Sequence, residues 1–412
     1  MLLALIVTAM AAPFAGPLSS GALLLLLPAD VKPILEDLPE SYTPLHKGGI
    51  DLATGLYVRE DEDLVLRETP HLVLRRTYLS GYHVNRQFGI GTTHNGERAL
   101  VGDGEGFQWA KLFPASGARV VNFERVSPGR WFVNALYEHR ETSSEYSGAR
   151  LGWIGLGWAM RLGDGTRLRF RACTPRMPGC SIVEERDAAG SAIHYRRNAA
   201  GRLLRMEASP NRWIAFDYDP HGRITRAHDS AGREVRYEYD GGGRLSLASA
   251  SDGTVRRYAY TNGNRMRTIE DPDIVIENTY DADGRCIRQV NRFPGEPEPY
   301  TFDFIYKTRG DSVASAEVRR SDTTWTIYTF NGNLDVASEA WGSRGSKPVS
   351  VTYERDPRTR VVTRVTVTCT DRTGRPLPHA RRVTDGAWQW HRDDVISAHC
   401  SSGWSSRSRE IR

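Results

Sequence analysis

Beyond its first thirty residues the chain alternates short apolar and polar runs with a period near two, not 3.6. Leu72-Val73-Leu74-Arg75-Arg76-Thr77-Tyr78-Leu79-Ser80 is rich in strand formers and stops at a turn, which predicts a β-strand. Further short strands are predicted around residues 98–101, 107–112, 119–123, 130–135, 153–161 and 167–171, separated by Gly102-Asp-Gly104-Glu-Gly106, Pro128-Gly129 and Gly163-Asp164-Gly165. The first of these glycine runs is a hairpin turn, not a phosphate cradle. A cradle needs a helix N-terminus after the glycines, and a strand-like Phe107-Gln-Trp109 follows instead. The class this predicts is all-β.

From Arg186 to Asn291 the pattern becomes periodic. Asn198-Ala-Ala-Gly-Arg-Leu203, Asp219-Pro-His-Gly-Arg-Ile224, Asp240-Gly-Gly-Gly-Arg-Leu245, Asn262-Gly-Asn-Arg-Met266 and Asp281-Ala-Asp-Gly-Arg-Cys286 are five versions of one phrase. Gly201, Gly222, Gly243, Gly263 and Gly284 mark it at intervals of 21, 21, 20 and 21 residues. Tyr195, Phe216, Tyr237 and Tyr258 keep one aromatic beat, and Tyr218, Tyr239, Tyr260 and Tyr280 keep another. A period of this size signals a repeat architecture. Asp187–Gly190, Asp229–Gly232 and Asp252-Gly253 supply a second turn in each interval, so one repeat is two strands and two turns. The Asp or Asn supports the turn through its side chain, and the glycine supplies a positive φ. Alternation puts Ile214, Phe216 and Tyr218 on one face and Trp213, Ala215 and Asp217 on the other. Such a unit cannot bury its apolar face alone, so neighbours must stack into one continuous sheet.

Tyr218-Asp219-x-x-Gly222-Arg223-Ile224 and Tyr239-Asp240-x-x-Gly243-Arg244-Leu245 resemble the YD repeat of the Rhs family. Asp51–Gly55, Arg75-Arg76-Thr77-Tyr78 and Leu156-Gly157-Trp158 with Gly163-Asp164-Gly165 are similar to the β-rich domain that often precedes such repeats. The resemblance spans about residues 45–335. It implies a long antiparallel sheet spiralling into a hollow shell, which in bacterial members encloses a variable C-terminal toxin. The repeat-defining residues it marks are the five glycines, Tyr218, Tyr239, Tyr260, Tyr280, Asp219, Asp240, Asp281, Arg223, Arg244 and Arg285. The expected divisions are a hydrophobic N-terminal segment at 1–35, a β-rich domain at 42–185, YD repeats at 186–368 and a polar tail at 369–412. Toxin-delivering members cut themselves at an Asp-Pro-x-Gly segment. Asp219-Pro-His-Gly222 looks similar but lies within the repeat register, so no self-cleavage is expected there.

Composition adds limits. The chain's 39 Gly and 17 Tyr suit a turn-rich β protein, and a formal charge of +5, almost wholly arginine, shows no dense basic stripe with interleaved aromatics. Nucleic acid is therefore not expected as a partner. Residues 1–29 carry no charged side chain; Leu2–Ala9 followed by Ala9-Met10-Ala11 fits a secretory signal lacking its basic start. Membrane contact is expected only through that segment. Five cysteines with no CxxC pair argue against zinc, and Cys173 with Cys180 could form a disulfide in an oxidising compartment.

Catalytic patterns are absent from the sequence. His391-Arg-Asp-Asp394 lacks the glycine loop and lysine of a kinase, and His391, His399 and Cys400 match no zinc spacing. No catalytic residue, cofactor or metal is expected. The functional expectation is a non-enzymatic, secreted or cell-envelope scaffold or surface-interaction protein, with toxin-system components or surface glycans as partners. The alternatives are an orphan shell segment of a polymorphic toxin, and a carbohydrate-binding module using Trp213 or the Trp153/Trp158 pair.

Overall fold

A computed structural model describes residues 45–382, apart from residue 47 and the stretches 103–106, 115–119, 130, 141–145, 173–178, 200, 209–210, 358–359 and 371–374. The N-terminal segment and the His391 cluster lie outside the described residues, as do Gly104, Gly106 and Cys173.

Strands and turns make up the described chain; its helical elements are two three-residue 3₁₀ turns, Asn95–Glu97 and Phe132–Asn134. From Ala99 to Arg382 the strands join, each to the next, in one antiparallel sheet that closes on itself. Closure runs through the strand Cys180–Arg186. That strand pairs with Arg167–Arg171 before it and Ala192–Arg197 after it, while its first residues pair with Ala99–Gly102 (Cys180 opposite Leu100). The eight strands from Ala99–Gly102 to Cys180–Arg186 thus form a ring, and closure removes their exposed edges. Leu100, Leu112, Phe123, Tyr137, Leu151, Trp158, Met160, Leu168, Phe170 and Ile182 fill its inside. The sheet then continues without a break across residue 186 into the repeats.

In the repeats each aromatic of the first beat faces an apolar partner directly across the ladder: Tyr195 opposite Met206, Phe216 opposite Ala227, Tyr237 opposite Ala248, Tyr258 opposite Ile269. All eight are buried. Each such pair fills the interior between strands and also pins the register. At Tyr218, Tyr239, Tyr260 and Tyr280 the register shifts, a bulge that recurs once per repeat and curves the sheet the same way each time. The expected polar tail opens with one more strand, Pro376–Arg382, paired along Val362–Thr370. Its two prolines suit an edge, where a missing N–H costs no ladder bond.

Residues 45–97 stand apart from this sheet. A three-stranded sheet of Val58–Leu66, Leu72–Leu79 and Thr92–His94, with two minor hairpins, lies on the buried face of the repeats.

Candidate functional site

The repeat turn is built the same way several times. In Asp219–Arg223 the Asp219 carboxylate accepts from the Arg223 backbone N–H (2.8 Å) and from its Nε (2.7 Å), and Gly222 takes φ +83°. Asp240 holds Arg244 identically (3.0 and 2.7 Å), and Asp281 accepts from the Arg285 N–H (2.8 Å). The arginine so held lies over the tyrosine of the following repeat: Arg202 over Tyr218, Arg223 over Tyr239, Arg244 over Tyr260. Each tyrosine hydroxyl then donates back to the carbonyl just after the preceding arginine. Tyr218 reaches Leu203, Tyr239 reaches Ile224, Tyr260 reaches Leu245 and Tyr280 reaches Met266, at 2.5 to 2.7 Å. Tyr, Asp, Gly and Arg therefore connect one repeat to the next.

One expected position is corrected. Gly263 does not carry the positive φ of its repeat; Asn264 does, at +58°, and Thr261 stands where the other repeats have Asp, its Oγ1 accepting from the Arg265 N–H (3.2 Å). Asn tolerates the left-handed region, so the beat slips by one residue without breaking.

Residues 45–97 cross these turns as a strap, touching the repeats from Arg197 to Gln289. Arg197 donates to the Gly96 carbonyl. The Ile224 N–H donates to the Gln87 carbonyl (2.7 Å), and the Ile90 N–H to Gly243 (3.2 Å). Tyr78 donates to the Asn264 carbonyl (2.8 Å) and accepts from the Met266 N–H (2.9 Å). The Cys286 N–H donates to Gly55 (2.8 Å), and Gln289 donates to Gly48 (3.0 Å). In the fifth repeat the aromatic pair is replaced by Asn278 opposite Gln289, buried and bonded to each other at 3.0 Å. Glycines stand at the crossings because nothing larger fits: a Cβ on Gly89 would come within 2.5 Å of the Gly243 carbonyl oxygen.

Beneath the middle repeats lies a buried charge network that the sequence did not reveal. Arg76, 3% exposed, donates to both carboxylate oxygens of Asp63, and to Tyr258 (3.2 Å). Its guanidinium stands 5.6–5.7 Å from the Phe88, Tyr237 and Tyr258 ring centres. Tyr237 donates to Asp63 (2.7 Å) and Tyr258 to Asp61 (3.0 Å). Arg59 bridges Asp61 and Asp271, and Arg256 lies 3.6–3.8 Å from Asp61, Asp63 and Asp271. Three arginines and three aspartates balance to zero. Burial alone would raise the Asp61 carboxyl, but Arg76, Arg59 and Arg256 outweigh it and hold it at about 2. Every charge here has a partner of opposite sign, an arrangement that fastens strap to repeats.

Known proteins can now be set beside this geometry. A family model described as a domain of unknown function, DUF6531, matches residues 47–121, and the RHS Repeat model matches residues 218–253. The first covers the strap and the start of the ring, the second the best-formed turns. Residues 218–253 are an RHS repeat, and the chain resembles the Rhs/YD-repeat family. No curated protein matches it. Among solved structures, the Tc holotoxin pore of Photorhabdus luminescens is 14% identical, with TM-score 0.37 over 62% of this chain and 16% of that one. The TcdB2-TccC3-Cdc42 crystal structure is 10% identical, TM-score 0.37, over 80% and 23%. A porin-like protein from Bacteroides uniformis is 13% identical, TM-score 0.23, over 53% and 91%. The chain spans less than a quarter of the length of either toxin chain.

Trp158 is 1% exposed in the ring core, and Trp153, partly buried, packs edge-on against it. Trp213 is half-buried, with Arg205 over its ring at 4.4 Å and His228 against its edge. Cys180 and Cys369 each belong to a disulfide, and Cys286 is a buried free thiol that burial pushes up to about 12. No described helix is long and apolar enough to cross a membrane. Among the described residues no three His, Cys, Asp or Glu side chains gather as metal ligands.

Proposed function

We propose that this chain is a non-enzymatic Rhs-type scaffold working outside the cytoplasm. Its repeat sheet would serve as a curved wall, and residues 45–97 as an internal strap holding that wall at fixed curvature. The repeat-defining roles fall to Asp219, Asp240 and Asp281, Arg223, Arg244 and Arg285, the four tyrosines, and Gly201, Gly222, Gly243 and Gly284, with Asn264 in place of Gly263. The observation that carries the reading is the turn-by-turn contact between strap and repeats. Rigidity along a whole face suits a wall. That Cys180 and Cys369 each belong to a disulfide supports an oxidising compartment.

Crosslinking in the producing cells, followed by mass spectrometry, tests this. Crosslinks from the solvent-facing loops to an envelope or toxin-system protein are expected. A chain recovered only from the cytoplasm, crosslinked to nothing, would sink the proposal. A second reading, a wall segment of a polymorphic-toxin shell, draws on the edge position of Pro376–Arg382, which pairs on one side only among the described residues. Neighbouring reading frames that encode further repeats or an immunity partner would favour it.

A further inference from the structure

The outer face of the eight-stranded ring carries a row of like charges. Arg150 stands directly opposite Arg161, Arg161 opposite Arg167, and Arg167 opposite Arg186, so four arginines lie in line across four neighbouring strands. Adjacent strands are about 4.8 Å apart, so the row is about 14 Å long. Like charges placed directly opposite destabilise a sheet. Arginines on the outer face of the repeats avoid this through glutamates: Arg196 and Arg205 share Glu207, and Arg226 and Arg236 share Glu234. At the two ends of the row Arg150 has Glu138 and Arg186 has Glu184. Arg161 and Arg167, exposed at the centre, make no ion pair among the described residues. Arg169 adds a further positive charge on the same face and shares Glu184. These side chains and Leu136 line one shallow groove, with Gly152 and Ala159 as its floor.

A second feature adjoins it. Trp131 (71% exposed), Val133, Leu136, Ile154 and Leu156 (88% exposed) form two neighbouring apolar projections. Leu136 lies opposite Gly152 on the ladder, and Phe132 packs on Trp153 at 5.0 Å, so both segments sit at one end of the same strands. Ile154 and Leu156 are the tip of the hairpin whose other end bears Arg150 and Arg161.

We infer that this face of the ring docks on a lipid bilayer bearing anionic headgroups. Forked guanidinium groups suit phosphate oxygens, and exposed apolar tips beside them suit the headgroup–acyl boundary. A soluble polyanion would use the arginines and leave Leu156 without a role. No aromatic alternates with the arginines, which removes the stacking platform that a single nucleic-acid strand needs. This membrane contact is separate from the hydrophobic N-terminal segment, to which the sequence alone had confined it, and does not depend on the scaffold role.

Flotation of the full chain with vesicles of phosphatidylcholine and phosphatidylglycerol, against phosphatidylcholine alone, tests it. Arg161→Gln with Arg167→Gln is expected to weaken binding to the anionic vesicles about fivefold for each arginine removed, an effect that fades as salt rises. Leu156→Ser is expected to weaken binding at every salt concentration. Because the double variant relieves repulsion, its melting temperature should equal or exceed that of the parent. Unchanged vesicle binding in the double variant, or a lowered melting temperature, would overturn the proposal. So would arginine-dependent capture of a soluble sulfated glycan on which Leu156→Ser has no effect, since the partner would then be a polymer in solution.

Discussion

At the scale of single residues, the tyrosine of the repeat acts through its hydroxyl as much as through its ring. Tyr239→Phe keeps the stacking under Arg223 and leaves the Ile224 carbonyl without that donor, so chemical denaturation should show a loss of about 1–2 kcal/mol. His94 gives a pH signature. Its ring is fully buried, with Nδ1 accepting from the Gly96 N–H and Nε2 bonded to Gln87, and burial pushes its pKa from 6.5 down to about 4. Between those values the unfolded chain takes up a proton that the folded chain refuses. Stability is therefore intact above about pH 6.5 and falls towards pH 4, by up to roughly 3 kcal/mol. His94→Gln should flatten that part of the stability–pH curve. A second acidic window belongs to Asp61, whose depressed pKa means that its contribution holds above 3.8 and is lost as pH falls towards 2.

At the scale of elements, the strap and the repeats hold each other through contacts that tolerate little. Gly89→Ala places a Cβ against the Gly243 carbonyl at φ +82°, and the left-handed backbone alone costs about 1–2 kcal/mol. Hydrogen exchange should show the Ile90 and Ile224 amides losing protection together. In the charge network Asp63→Ala leaves Arg76 only the longer ion pair with Asp61 (3.5 Å) and should cost about 3 kcal/mol by denaturant titration, more than the loss of any surface pair. These elements were unequally legible. The 21-residue beat could be read because Asp, Gly and Arg act within five residues of one another. Gly263 misled because Asn264, one place on, accepts the same backbone conformation. The strap could not be read, since its bonds join residues as far apart as Gly48 and Gln289. Alternating Arg59, Asp61 and Asp63 also look like the wet face of a surface strand until the repeats cover them.

At the scale of the whole molecule, the sheet is one object from Ala99 to Arg382, and the division expected near residue 186 crosses a continuous ladder. Ring closure was illegible because it depends on Cys180 meeting Leu100, a pairing with no local signal. The absence of self-cleavage at Asp219-Pro220 remains a prediction, with a structural reason behind it: both oxygens of Asp219 are engaged by Arg223. Incubating the purified chain across a range of pH and measuring its intact mass should return one species, with no fragment ending at residue 219.

The strap also fixes a count, because it grips the repeats at many points between residues 197 and 289, several of them on one and the same repeat. Gaining or losing one 21-residue unit inside that span would throw those contacts out of step, whereas the same change beyond residue 290 would leave them in place. Copy number in this lineage should therefore be frozen over the first five turns and free to drift after them.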